Sequence, residues 1–362
     1  MNFSVWFSTP KKPLFFSFLL LLSILLVSCE AVSYYSQAAR GQLAINLGRE
    51  NIQLLIQDEN LPHELRSKFI EIDKIREFSE TQLGLPLGEN YSTYVELDRE
   101  YVVWNVFAAP EFSTEPFNWC YPLAGCVSYR GYFSEESAMR YAEKLKENGL
   151  DVYVGGVAAY STLGWFEDSL LSSVLSRSIN QIASLIFHEL AHQIIYVPGD
   201  TEFNESFATT VEREGLRRWM RATGQSNDVI QEEENIRRHQ QFVELVIAYQ
   251  DRFDNIYKKD VADHIKREEK TKLQSSLRHD FSLLENSWGE YGRYGTWFSA
   301  GLNNAQLSTV ASYNNLVPFF NEILNESGDD LNVFYAKVAE LAELDEIERY
   351  RRLERNQLSS KK

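Results

Sequence analysis

Cysteine is scarce in this chain: three occur in 362 residues, and beyond Cys29 only Cys120 and Cys126 remain. No histidine lies near that pair, which argues against a two-cysteine zinc site. Basic residues are also short. Against 52 Asp and Glu stand 36 Lys and Arg, giving a net charge of −16. No basic patch with interleaved aromatics stands out. Such a chain has no general attraction for nucleic acid or for an anionic lipid surface, so nucleic acid is set aside as a partner. Internal repeats and low-complexity tracts are missing as well. What is present is the composition of a folded protein, with 44% hydrophobic and 13% aromatic residues. The length suffices for one large domain or two small ones.

Lys11 and Lys12 precede an apolar run that extends from Leu14 to Leu26. A positive segment followed by an apolar one is the layout of a secretory signal. The run ends in Leu26-Val27-Ser28-Cys29. This resembles a bacterial lipobox, in which small residues precede a cysteine that is lipidated and becomes the mature N-terminus. The competing reading is a plain membrane anchor, for which the run is somewhat short. On the lipobox reading residues 1–28 are a lipoprotein signal peptide and Cys29 is the lipidation site. More than one acyl chain then gives stable anchoring in the bacterial membrane. The protein is expected in the cell envelope, facing the periplasm. Losing the two lysines takes its charge from −16 to −18. In that oxidising compartment Cys120 and Cys126, six apart around Pro122 and Gly125, fit a small disulfide loop. Two buried free thiols are the alternative.

Residues 29–90 read as an N-terminal helical region. Stretches 38–55 and 63–83 carry apolar residues at three-to-four spacing, and Leu85-Pro86-Leu87-Gly88 closes the region. Residues 91–170 read as a small β-containing subdomain. Stretches 94–97 and 101–107 are aromatic and β-branched, with Asp98-Arg99-Glu100 as the turn between them. Ser134-Glu135-Glu136 starts a helix by capping, and residues 151–154 form a further strand. Residues 171–222 are expected to hold the helices that carry His188, Glu189, His192 and Glu205. Residues 223–362 form a C-terminal helical region, with 228–284 as an antiparallel pair and a break near Pro318. The expected class is α+β, mostly helical, with a small mixed sheet before the helix at residues 179–195.

Residues 179–195 are apolar on most sides, as a buried helix is. Three titratable residues interrupt them: His188, Glu189 and His192. Four-residue spacing puts both imidazoles on one face, within reach of one ion. Glu189 projects beside that site, where it can act as a general base toward water. The competing reading is a buried helix whose histidines hydrogen-bond elsewhere. Two histidines leave a catalytic zinc ion one protein ligand short. Downstream, Asn204-Glu205-Ser206-Phe207-Ala208 opens a second helix.

Here the sequence resembles the gluzincin metallopeptidases, including thermolysin-like and membrane-alanyl-aminopeptidase-like enzymes. The resemblance implies a zincin-like fold, one Zn2+ ion, and Glu205 as the third ligand. Glu205 follows His192 by thirteen residues, fewer than in those two groups, so the connection must be a brief loop over Val197 to Asp200. Glu202 is the nearest competitor, and Glu212 and Glu214 lie further along. Glu212, two turns from Glu205, is either a residue that orients a ligand or an ordinary surface acid. A wider resemblance covers nearly the whole mature chain. The lipobox, residues 38–43, 127–133 and 159–166, the zinc motif, the Asn204 to Ala208 run and Asn303-Asn304-Ala305 are similar to a family of bacterial lipoproteins described as "putative aminopeptidases". That likeness implies a peptide substrate.

In enzymes of this type an edge strand before the zinc helix pairs with extended substrate. Gly155, Gly156 and Tyr160 are the corresponding substrate-binding candidates, with a plain strand-to-loop passage as the alternative. An oxyanion stabiliser is needed opposite the zinc. The candidates are Tyr291, Tyr294, Tyr313, His239, His264 and His279. Tyr313 is preferred because it follows Asn303-Asn304. His63-Glu64 imitates the start of the zinc motif, but Ser67 stands where the second histidine belongs. The expected function is a lipid-anchored zinc metallopeptidase, an aminopeptidase. The alternatives are a zinc endopeptidase acting on envelope proteins and a non-catalytic, zinc-stabilised scaffold. The intact Glu189 argues against the scaffold.

Overall fold

The computed structural model describes residues 31–121, 125–159, 167–289, 292, 294–299 and 301–359. Cys29, the segment before it, Tyr160 and Tyr291 lie outside them. A first unit ends at Leu47 and a second begins at Gly48. Within the first, residues 31–47 form helix α1. It exposes Val32, Tyr35, Leu43 and Leu47, spaced so that they share one helical face.

The second unit runs β1 (Glu50–Asn51), α2 (Ile52–Gln57), α3 (His63–Thr81), β2 (Thr93–Val95), β3 (Val103–Pro110), β4 (Trp119–Tyr121), β5 (Gly125–Val127), β6 (Arg130–Tyr132), α4 (Glu135–Glu147), β7 (Leu150–Val157) and β8 (Leu170–Leu171). Helices follow: α5 (Ile179–Ile194), α6 (Thr201–Ala222), α7 (Ser226–Tyr257), α8 (Asp263–Ser287), α9 (Gly295–Ser299), α10 (Asn304–Asn314), α11 (Val317–Glu326), α12 (Leu331–Ala342) and α13 (Glu346–Ser359). The fold is thus mostly helical, with small sheets preceding the two central helices, as a zincin-like α+β fold requires.

Two sequence expectations need correction. Residues 38–55 are not one helix. Gly48 ends α1, and the Asn51 side chain accepts from the Leu54 N–H to start α2 separately. A local cap outweighs the periodic pattern running through it. The strands at 94–97 and 101–107 do not form a hairpin either. β2 pairs antiparallel with β1 and parallel with β8. β3 instead lies between β6 and β7, antiparallel to both. From Val103 to Ala109 every residue of β3 is buried. A strand covered on both faces belongs at the centre of its sheet.

Other expectations hold. Ser134 caps α4 through the Ser137 N–H. α7 and α8 are an antiparallel pair, tied by Tyr249 Oη to Asp280 Oδ2 at 2.6 Å and Trp288 Nε1 to Gln241 Oε1 at 2.7 Å. Pro318 sits in the first turn of α11, where no N–H is needed. Asn304, fully buried, donates to the carbonyls of Pro110 and Glu111 and accepts from Tyr257 Oη. Asn303 donates to Val152 O at 2.8 Å. The Asn-Asn pair therefore stitches α10 to β3 and β7.

The main core forms around α5 and α6 and is closed by α11 and α12. Phe203 and Phe207 of α6 pack on Phe320 of α11, and Phe207 stacks on Phe334 of α12. Gly215 of α6 lies against α5. A Cβ there would come within 2.8 Å of the Phe187 ring and 2.9 Å of Leu83. Glycine lets the two helices approach closely at that level.

Candidate metal centre

Helix α5 starts with a reciprocal cap. Ser178 Oγ accepts the Gln181 N–H at 3.3 Å, and Gln181 Oε1 accepts the Ser178 N–H at 3.0 Å. The helix buries Ile182, Ala183, Ile186, Phe187, Leu190 and Ala191. That burial fixes its rotation and turns His188 and His192 toward α6.

The loop to α6 is as short as the sequence demanded. Asn204 clamps it: Oδ1 accepts the Val197 N–H and Nδ2 donates to Val197 O, both at 2.8 Å. This is the physical reason for asparagine just before Glu205. Gly199 takes a φ of +90° in the turn. Asp200 then caps α6 through the Phe203 N–H at 3.0 Å. Its carboxylate also meets Arg349 Nε at 3.0 Å and Tyr350 Oη at 3.0 Å. The Cys120–Cys126 disulfide ties β4 to β5. That hairpin leans on the same turn. A Cβ on Gly125 would sit 2.6 Å from Gly199 N and 2.9 Å from the Pro198 carbonyl carbon.

Three donors converge as a result. Glu205 Oε2 lies 3.3 Å from His188 Nε2 and 3.6 Å from His192 Nε2. Donor atoms of His188, His192 and Glu205 all fall within 4.8 Å of one another. Ligands about 2.0–2.2 Å from one tetrahedral zinc ion are roughly 3.3–3.6 Å apart, so the set fits the ion. The outer nitrogen of His188, Nδ1, meets Glu212 Oε2 at 3.1 Å. Such a bond fixes the ring and directs Nε2 inward. Glu202 is not part of this group, which among the described residues gathers His188, His192 and Glu205. Glu214 is held by Arg217 and Arg218, each at 2.6 Å.

Residues 33–353 match the model of the family described as "Putative aminopeptidase". The chain belongs to that family. Nothing among curated proteins or solved structures matches it.

The charges in this aminopeptidase-family site are tightly coupled. Burial alone would raise the Glu205 carboxyl, but the two histidines beside it hold it down at about 2. Burial would lower the His188 imidazole, yet Glu205 and Glu212 raise it well above its usual range. Glu189 shifts upward. Its burial dominates, the histidines oppose the shift, and Glu205 and Asp168 add to it. Upward is the direction expected of a group that must accept and return a proton.

Several neighbours carried no recognisable sequence signal. Asp168 is buried, and its charge acts on Glu189. It is fixed by backbone: Asp168 N donates to Asn90 Oδ1 at 2.8 Å, and Asp168 O accepts the Tyr91 N–H. Tyr91 holds a φ of 58°, uncommon for a side-chain-bearing residue. Burial raises its hydroxyl pKa, with Asp168 and Glu189 adding to the effect. Tyr196, just past α5, is raised by burial and by the Glu205 charge.

The remaining candidates divide. Gly155 and Gly156 lie on β7, which pairs only with β3 among the described residues. A Cβ on Gly156 would fall 2.5 Å from the Tyr101 ring, so that glycine has a packing reason of its own. Tyr313 is on α10, but its side chain is not among those described. His239 and Tyr294 pair with each other, Nδ1 to Oη at 2.7 Å. His264 and His279 are exposed on α8. His63 opens α3, where Glu64 meets Lys68 at 3.5 Å.

Proposed function

We infer that the protein is a zinc-dependent aminopeptidase, exported and anchored to the bacterial envelope through a lipidated Cys29. The observation that carries the enzymatic reading is the convergence of His188, His192 and Glu205 on one point, with Glu189 on the same helix. Family membership supports peptide as the substrate. When bound, the ion would act as a Lewis acid toward the scissile carbonyl and lower the pKa of water at the site.

The chain's own residues supply the rest. Glu189 accepts a proton from the attacking water and returns it to the departing amine. Glu212 holds the His188 ring through Nδ1. Residues 154–157 of β7 offer backbone to an extended peptide, beyond the point where Asn303 occupies Val152 O.

The test uses full-length protein in detergent. Elemental analysis should find one zinc per chain. Peptides with a free N-terminus should be cut and N-blocked versions spared. Glu189→Gln should retain zinc and lose about 10²–10⁴ in kcat. Equal cleavage of blocked peptides would make it an endopeptidase. Zinc-free protein from chelator-free purification would sink the enzymatic reading. Cys29→Ser should move the protein out of the membrane fraction, and retention there would refute lipidation.

A further inference from the structure

A recognition surface lies on the sheet of β6, β3 and β7. Asn105, in the central strand, stands directly opposite Gly131 of β6 and Gly155 of β7. Directly opposed residues share a face, so Asn105 has a bare neighbour on each flank. The other face belongs to α4, because Tyr132, opposite Trp104, packs 5.7 Å from Tyr141. On the Asn105 face, Ala305 of α10 packs with Phe107 and Ala109, at the far end of β3.

Asn105 is only 9% exposed. Its side-chain amide makes no hydrogen bond among the described residues, yet neither polar atom is sealed from water. A polar group so deeply set and unbonded calls for a partner. The Tyr153 hydroxyl is close by. A Cβ on Gly155 would lie 3.4 Å from the Tyr153 ring and 3.8 Å from its Oη. Tyr153 packs on Phe107 at 6.1 Å, and Phe107 on Tyr129 at 5.9 Å. The side chain that Gly155 lacks therefore leaves a small hollow, with an amide at its floor, a hydroxyl at its edge and aromatic walls. Asp151, further along this face of β7, is already paired with Lys270 at 2.6 Å.

We propose that Asn105 is a specificity-determining residue, and that the hollow over Gly155 receives the side-chain carboxamide of a glutamine in the substrate. This rests on the reading of β7 as the strand that pairs with the peptide. A peptide on the outer edge of β7 would run about 4.8 Å from that strand and about 9.6 Å from β3. Its residue beside Gly155 can lay a side chain across the glycine, where close approach is possible. Glutamine is long enough to meet the Asn105 amide reaching from the other side. Two carboxamides are complementary, each offering an N–H to the other's oxygen. Glutamate would bury a charge where these strands present no cation, since Arg130 is turned to Tyr141 at 4.6 Å. Methionine would leave the amide unbonded.

The experiment uses the zinc-loaded full chain and free N-terminus peptides identical except for Gln, Met or Glu at one position, each position scanned in turn. At one position kcat/KM should favour Gln over both others by at least about tenfold. Asn105→Leu keeps the side chain's size and should bring the Gln-to-Met ratio within about threefold of one. Tyr153→Phe should lower that ratio at least about twofold, and serves where Asn105→Leu does not fold. A merely structural loss would slow all peptides alike and leave the ratio unchanged. Binding of the same peptides to Glu189→Gln protein reads the hollow apart from the reaction. A Gln preference in binding that Asn105→Leu abolishes supports the hollow even if no peptide is cut, a failure that would count against the peptidase reading alone. Met peptides handled as well as Gln peptides at every position, or a preference that the folded variants leave intact, would overturn the proposal.

Discussion

Arg349 is the residue whose removal should tell most about how the metal centre is held. It and Asp200 are only 4% and 8% exposed, with Nε and Oδ2 3.0 Å apart. Arg349 Nη1 also donates to the carbonyls of Ala342 and Leu344. Arg349→Met keeps the side chain's bulk and removes its charge. Asp200 would retain the Phe203 N–H and the Tyr350 hydroxyl but lose its counter-charge. Breaking a buried pair from one side costs about 3–5 kcal/mol, whereas neutralising both sides is often nearly free. Asp200→Asn keeps an acceptor for the cap. The double variant should therefore recover much of the loss, with a coupling energy of at least about 1 kcal/mol. Urea unfolding at pH 7 of parent, both single variants and the double variant measures it. Zinc affinity should follow the same order, because Asp200 caps the helix that carries Glu205. A single variant within about 0.5 kcal/mol of the parent, the range of surface substitutions, would refute the reasoning.

Three further outcomes are expected. Glu205→Gln should lose zinc in elemental analysis while Glu202→Gln keeps it, and the reverse would reassign the third ligand. Gly125→Ala should lower the melting temperature: φ is +75° there, left-handed backbone costs a side chain about 1–2 kcal/mol, and the new Cβ meets Gly199 N at 2.6 Å. An unchanged Tm would mean that the hairpin does not bear on the turn. In chelated protein, pH should act through two groups in opposite senses. The raised His188 contributes stability that is complete below its ordinary value of about 6.5 and is lost as pH climbs through its raised value. Glu205 contributes stability present above 4.5 and lost as pH falls toward about 2. Zinc affinity should rise with pH, since ligands bind deprotonated. Urea titrations and zinc-binding isotherms at pH 5 to 9 test both, and pH-independent zinc binding would contradict the assignment of His188.

What the sequence made legible was local. The α5 pattern, the four-residue histidine spacing and the Ser134 cap all lie within a few turns of chain. Glu205 came from the resemblance to gluzincins and not from a local pattern, and the structure supplies a cause for the preceding Asn204 in its two bonds to Val197. Contacts distant in sequence were not readable. Asp168 reaches Glu189 only because Asn90 and Tyr91, far away in sequence, hold its backbone. Arg349 likewise finds Asp200 149 residues away. The hairpin expected from residues 94–107 failed for the same reason. β2 and β3 have equally good partners elsewhere, and strand periodicity does not say which partner wins.

The Asp200–Arg349 pair also sets an order of events. The two residues are 149 apart, and the later one lies on α13. A chain is made from its N-terminus, so the counter-charge on the Glu205 helix arrives only 149 residues after Asp200 itself. A chain cut short before α13 would carry all three donors and still lack the residue that steadies their scaffold.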